Sequence, residues 1–87
     1  VISKVRPSFW RAYGQLSPLV KARAKTTWQI FEKNPDHPSL RFKKLQGSNQ
    51  LWSVRINEQY RAVGVRSGDV IEWIWIGTHN DFDNLFS

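Results

Sequence analysis

The hydrophobic period of this chain changes once, near Leu40, and that change restricts it to a mixed α+β fold. Before it, Val20, Ala24, Thr27/Trp28 and Phe31 recur at helical spacing, with Lys21, Arg23 and Lys25 mostly elsewhere on the helix. Ser17–Pro18 supplies an N-cap and a proline at the first helical position, and Asn34–Pro35 closes the element. A shorter helix precedes it, opened by Pro7, carrying Phe9, Trp10 and Tyr13 and ended by Gly14. Val1–Val5 alternates weakly, as a short first strand would.

After Leu40 the period is 2. Leu40–Leu45 reads as a short basic strand or extended segment, and Gln50–Asn57, Tyr60–Arg66 and Val70–Gly77 as three strands of an antiparallel meander. Asp81–Phe86 is long enough for one last helical turn. The expected architecture is two N-terminal helices packed on one face of a small, mostly antiparallel twisted sheet. Eighty-seven residues make one domain, 1–87. There is no cysteine, hence no disulfide, thiolate metal site or thiol nucleophile, which fits a cytoplasmic protein. No apolar run approaches the roughly 20 residues of a membrane span, so no membrane partner is expected.

The turns allow a register to be drawn. A three-residue Asn57–Gln59 loop pairs Ile56 with Tyr60 and sets Arg55 directly across from Arg61. A Ser67–Gly68 turn would set Val63 across from Glu72, Ala62 from Trp73 and Arg61 from Ile74. One sheet face then carries Trp52, Val54, Ile56, Tyr60, Ala62, Gly64, Ile71, Trp73 and Trp75, and packs on the helices. The other carries Ser53, Arg55, Arg61 and Glu72 among Leu51, Val63, Val65, Ile74 and Ile76.

Two opposed arginines repel unless an anion compensates, at a cost of roughly 0.2–1 kcal/mol. As a rigid guanidinium pair they form a fork suited to phosphate. Glu72, diagonal to Arg61, offers the alternative of an ion pair that neutralises the arginines. His79 follows the last strand in Gly77-Thr78-His79-Asn80-Asp81-Phe82-Asp83, a loop in which a histidine is often simply solvated. Beside paired arginines its imidazole suits RNA cleavage: a ribose 2′-OH loses a proton, the pentacoordinate phosphate is held, and the 5′ oxygen gains a proton. His79, Asp81 and Asp83 match no familiar metal-ligand spacing. There is no phosphate-cradling glycine loop and no Ser/His/Asp triad, so neither metal nor cofactor is expected. His37, between prolines, reads as structural, and most of the five tryptophans as core.

The charge balance suits a polyanion such as RNA or DNA, or an acidic protein partner, and equally a solvated helix face that keeps a small protein soluble. The net charge is +6, but residues 1–45 hold ten Lys/Arg against Glu32 and Asp36, whereas residues 46–87 hold Arg55, Arg61 and Arg66 against five acids.

"LRFKKLQG", "LWSVRINEQYRAVGV" and the terminal "WIWIGTHNDFDNLF", preceded by two helices, resemble the RelE/ParE superfamily of type II toxin–antitoxin toxins. The WS-x-RIN-x-x-x-R stretch is similar to the YoeB branch and GTHNDFDNLF to the YafQ branch. The resemblance implies ribosome-dependent, metal-independent mRNA cleavage and inhibition by a cognate antitoxin. It implies a phosphate-contacting Arg61, a supporting Arg55 and a catalytic His79, with Arg41, Lys43 and Lys44 on ribosomal RNA or the message. Two departures stand out. Arg41–Lys44 is basic where the YoeB branch has a glutamate base, and Asn80, not an aromatic, follows His79. The general base is thus open between His79 and Glu72. Two other functions are implied by the same superfamily: a ParE-type inhibitor of DNA gyrase, or a non-catalytic RelE-like binding domain.

Overall fold

The computed structural model describes residues 1–86. Strand β1 (Ile2–Val5) leads into helix α1 (Pro7–Tyr13) and then helix α2 (Pro18–Lys33). Strands β2 (Lys43–Lys44), β3 (Leu51–Arg55), β4 (Tyr60–Ser67) and β5 (Val70–Thr78) follow, and helix α3 (His79–Phe86) ends the described chain. Sheet order is β1-β5-β4-β3-β2, antiparallel except for β1, which lies parallel to β5.

The helix boundaries follow local chemistry. Ser17 caps α2 by accepting from the Val20 amide at 3.3 Å, and the Asn34 amide closes it on the Ile30 carbonyl. Gly14 ends α1 through bonds to Ala12 and Trp10 carbonyls. The expected strand at 40–45 shrinks to Lys43–Lys44, because Pro38–Leu40 forms a 3-10 turn closed by Arg41 at φ 46°. No helix among the described residues is long and apolar enough to cross a membrane.

Helices α1 and α2 pack on one sheet face, as expected. Ala24 and Phe31 of α2 meet Val54, Ile56, Ala62, Ile71, Trp73 and Ile76 in the core. Phe31 sits edge-on to both Phe42 and Trp73, at 4.9 and 5.4 Å between centroids. The Arg66 guanidinium covers one end of this core, 4.6 Å above Trp52 and 5.6 Å from Phe42.

The second hairpin corrects the expected register. Its turn is Gly68–Asp69, not Ser67–Gly68, with Gly68 at φ 61° and Ser67 paired to Val70. Val65, not Val63, therefore faces Glu72, and Gly64 faces Trp73. A bulge follows: Val63 pairs with Trp75 and Ala62 with Ile76, so Ile74 is the extra residue. The Ser8 hydroxyl donates to the Ile74 carbonyl at 2.8 Å, and the Arg6 amide to the Trp73 carbonyl at 3.0 Å, tying the start of α1 to the bulge. Beyond it the alternation is inverted. Ile76 enters the core, while Trp75 turns to the opposite face, lies over Gly77 and packs on Phe86 of α3 at 5.4 Å. A third helix thus covers part of the second face.

A methyl group at Gly64 would meet the Ile71 side chain at 2.7 Å and the Trp73 ring at 3.0 Å. Gly64→Ala should therefore lower unfolding stability by about 1–3 kcal/mol, read as a lower urea midpoint at unchanged slope.

Candidate functional site

Asn57 builds the first half of the site. Its side-chain oxygen accepts from the Gln59 and Tyr60 amides at 2.8 and 3.0 Å, closing the 57–59 loop as an Asx turn. The loop pins Arg55 directly across from Arg61, as the sequence predicts. Arg61 is clamped by its own hairpin: one guanidinium nitrogen donates to the Asn57 carbonyl at 2.6 Å and the Tyr60 carbonyl at 2.9 Å. Arg55 lies 3.9 Å from Glu58. Burial first, then the charges of Arg55 and Arg41, lower the Arg61 pKa, while Asp83 pulls it up. Two neighbouring arginines and one carboxylate thus act on Arg61.

The second half comes from α3. Arg61 pairs with Gly77 rather than with Ile74, and the His79 amide donates to the Gln59 carbonyl at 2.6 Å. His79 therefore sits at the arginine end of the sheet, but in the first turn of a helix instead of a loop. Its Nδ1 lies 3.1 Å from the Asp83 carboxylate, one helical turn on, and its ring is 5.9 Å from Phe82. Sequence reasoning missed Asp83 as a partner of His79. The signal was Thr78, whose hydroxyl accepts from the Asp81 amide at 3.1 Å and starts the helix two residues earlier than expected.

Glu72 does not join this group. It lies five residues before Gly77 on β5, about 15 Å at strand rise. Its carboxylate instead binds Arg6, at 3.0 and 3.4 Å from two guanidinium nitrogens. The expected diagonal to Arg61 fails because the turn falls one residue later and the bulge adds another. Arg6, with Lys4 beside it in register, was the unseen partner, 66 residues away in the chain. The basic run also divides. Lys43 pairs with Ser53 on the arginine face, while Lys44 pairs with Trp52 and leans to the other side. His37 is local, its Nδ1 accepting from the Ser39 amide at 3.2 Å. No cluster of three or more His, Cys, Asp or Glu suited to a metal ion exists among the described residues.

Residues 18–84 match the ParE-like toxin domain, and the chain belongs to that family. Its fold is that of RelE, YafQ and YoeB toxins. A chain of the RelB–RelE antitoxin–toxin complex from Methanococcus jannaschii superposes with TM-score 0.77 at 15% identity, covering 97% of this chain and 99% of that one. YafQ from E. coli superposes with TM-score 0.73 at 12% identity, over 92% and 94% of the two chains. The YoeB dimer from Staphylococcus aureus gives 0.67 at 19% identity, over 91% and 97%. No curated protein sequence matches the chain significantly. The protein is a toxin of the toxin–antitoxin class with a RelE-like fold.

The Arg6 hydrogen bond, and then its charge, hold the Glu72 carboxyl below the usual carboxylate range. A carboxyl depressed on folding adds stability above its unfolded pKa, lost as pH falls through the folded value. Arg6→Ala should therefore lower the thermal midpoint slightly at neutral pH and leave it unchanged once Glu72 is protonated. If Arg61→Ala produced that pH dependence instead, Glu72 would belong to the arginine site.

Proposed function

We propose that this toxin is a ribosome-dependent mRNA endoribonuclease acting in the cytoplasm, held inactive by a cognate antitoxin. The carrying observation is the convergence of opposed Arg55 and Arg61 with His79 and Asp83 at one end of the sheet. The M. jannaschii RelE-like fold is known in an antitoxin–toxin complex, which supports the antitoxin partner.

The chemistry follows from the donor set. Bonding of Nδ1–H to Asp83 leaves the His79 Nε2 lone pair free. Nε2 takes the proton of a ribose 2′-OH, whose oxygen attacks the adjacent phosphorus. The P–O5′ bond breaks, leaving a 2′,3′-cyclic phosphate and a 5′ oxygen that takes a proton from solvent. Arg61, clamped by two carbonyls, offers its remaining N–H groups to the phosphoryl oxygens, where charge accumulates. Arg55 adds charge, and Arg41 and Lys43 extend the cationic track along the same region for the message or ribosomal RNA. This route needs no metal. Glu72 has no part in it.

In a translating extract, mapped mRNA ends should show codon-phased cuts. Arg61→Ala should slow them about 10²–10³-fold and His79→Ala about 10²–10⁴-fold. Arg61→Ala should also reduce the log–log salt slope of RNA binding by about one unit or less. The ParE-like family match favours one other reading, inhibition of DNA gyrase. Intact mRNA together with blocked gyrase supercoiling would establish it in place of the nuclease.

The role of Asp83 has a spectroscopic readout independent of cleavage. Free histidine favours the Nε2–H tautomer, whereas the Asp83 bond requires Nδ1–H. Long-range ¹H–¹⁵N spectra of neutral His79 should show Nδ1–H in the wild type and revert in Asp83→Ala.

A further inference from the structure

The loop that opposes Arg55 and Arg61 leaves one carbonyl unserved by its own hairpin. The Ile56 amide donates to the Tyr60 carbonyl at 3.0 Å, but the return bond does not form, because the Tyr60 amide is taken by the Asn57 side chain. A hydrogen-bonded antiparallel pair ordinarily exchanges both bonds. The Ile56 carbonyl is served instead from α2, where Arg23 Nε donates to it at 3.0 Å. The Thr27 hydroxyl lies 3.5 Å from the same oxygen but stands closer, at 2.9 Å, to the Arg23 carbonyl of its own helix. Arg23 is therefore the principal donor, reaching from an exposed helix position across the seam to the sheet.

That bond fixes what packing leaves loose. The Ile56 side chain is buried in the floor of the open apolar channel between α1 and α2, which Lys25 also lines. Burial holds the residue but not the plane of the peptide that follows it. That peptide starts a loop in which Glu58 and Gln59 are exposed, and beside it Val20, Arg23, Thr26 and Asn57 line only a shallow hollow. Hydrogen bonds, not apolar contacts, therefore set the path of the loop. One residue beyond Ile56, the Asn57 carbonyl clamps Arg61, and one residue before it stands Arg55. A turn of the Ile56–Asn57 peptide would move both arginines. The far side of the same loop is held by the His79 amide on the Gln59 carbonyl.

We propose that Arg23 is a positioning residue for the phosphate-binding arginines: its Nε–H, through the Ile56 carbonyl, sets the angle at which Arg55 and Arg61 meet a substrate phosphate. The proposal rests on the nuclease reading above. It separates Arg23 from the cations that touch RNA directly. Its contact lies on the helix side of the sheet, and its task needs a donor rather than a charge.

Two substitutions divide the donor from the charge. Glutamine puts an amide nitrogen where Nε stood, and methionine matches the length with no donor. In the full chain, Arg23→Met should lower the saturating rate of codon-phased cleavage about tenfold or more, with the half-saturating concentration of ribosomes little changed. Arg23→Gln should stay within about threefold of the wild type. In the free protein, Arg23→Met should speed amide exchange at Ile56 and Tyr60 and shift the Arg61 Nε–H resonance, and Arg23→Gln should restore both. Equal losses in the two variants, with a reduced salt slope of RNA binding, would mean that Arg23 acts by its charge and would overturn the proposal. A lowered urea midpoint in Arg23→Met at an unchanged cleavage rate would assign Arg23 to folding alone and overturn it too. Unchanged exchange and an unchanged Arg61 resonance in Arg23→Met would overturn it whatever the cleavage rate. No cleavage by the wild type removes the nuclease reading; the exchange and resonance comparison then decides on its own whether Arg23 holds the two arginines in place.

Discussion

One extra residue in β5 decides which way the functional end of the sheet faces. With Ile74 bulged out, Trp73 and Ile76 both point into the core although three positions separate them. Trp75 is then driven onto the opposite face, where Gly77 leaves room for its ring and Phe86 of α3 packs against it. The same shift brings Gly77 across from Arg61 and carries His79 to the level of the 57–59 loop. Had the alternation continued unbroken, Trp75 would have entered the core and α3 would have lost its packing partner. The bulge is held from outside the hairpin, through Ser8 on the Ile74 carbonyl and Arg6 on the Trp73 carbonyl. The start of the first helix therefore helps place a histidine at the far end of the chain.

Much of this was legible in the sequence, for identifiable reasons. Helix caps and the two-residue period are local properties, so α1, α2 and the three long strands fall close to where proline, serine and alternation put them. The Arg55–Arg61 opposition was readable because an Asx loop of three residues has few alternatives. The bulge was not readable. Val-Ile-Glu-Trp-Ile-Trp-Ile alternates equally well in either phase, since large apolar residues occupy both faces once a third helix covers the second. Glu72 was misplaced for the same reason, compounded by a partner, Arg6, on a parallel strand that no hairpin rule could bring near.

Electrostatics explains why a pair as unfavourable as Arg55 and Arg61 persists. The repulsion is visible in the lowered Arg61 pKa, to which burial contributes first and the neighbouring arginines next. It is offset locally by the Asn57 and Tyr60 carbonyls, by Glu58 near Arg55 and by Asp83. The two carbonyls hold Arg61 without neutralising it, because they accept hydrogen bonds but carry no net charge. A further carboxylate beside Asp83, which Glu72 would have been, would have added to the competition with phosphate for the same guanidinium. By bonding Arg6 instead, Glu72 leaves the cationic end of the sheet open to an anion.

The two faces of the sheet consequently carry different kinds of unfinished surface. One end of the arginine face has an excess of positive charge with backbone clamps already in place, suited to a ligand that arrives with phosphate and departs. The helix-bearing face has a large apolar channel with a cationic rim, suited to a partner that stays. Long residence follows from apolar burial, because desolvated aromatic anchors slow dissociation, whereas exposed charge mainly speeds encounter and is weakened by salt. A partner that had to control this protein by occupying the arginines alone would compete directly with a polyanion on the polyanion's own terms.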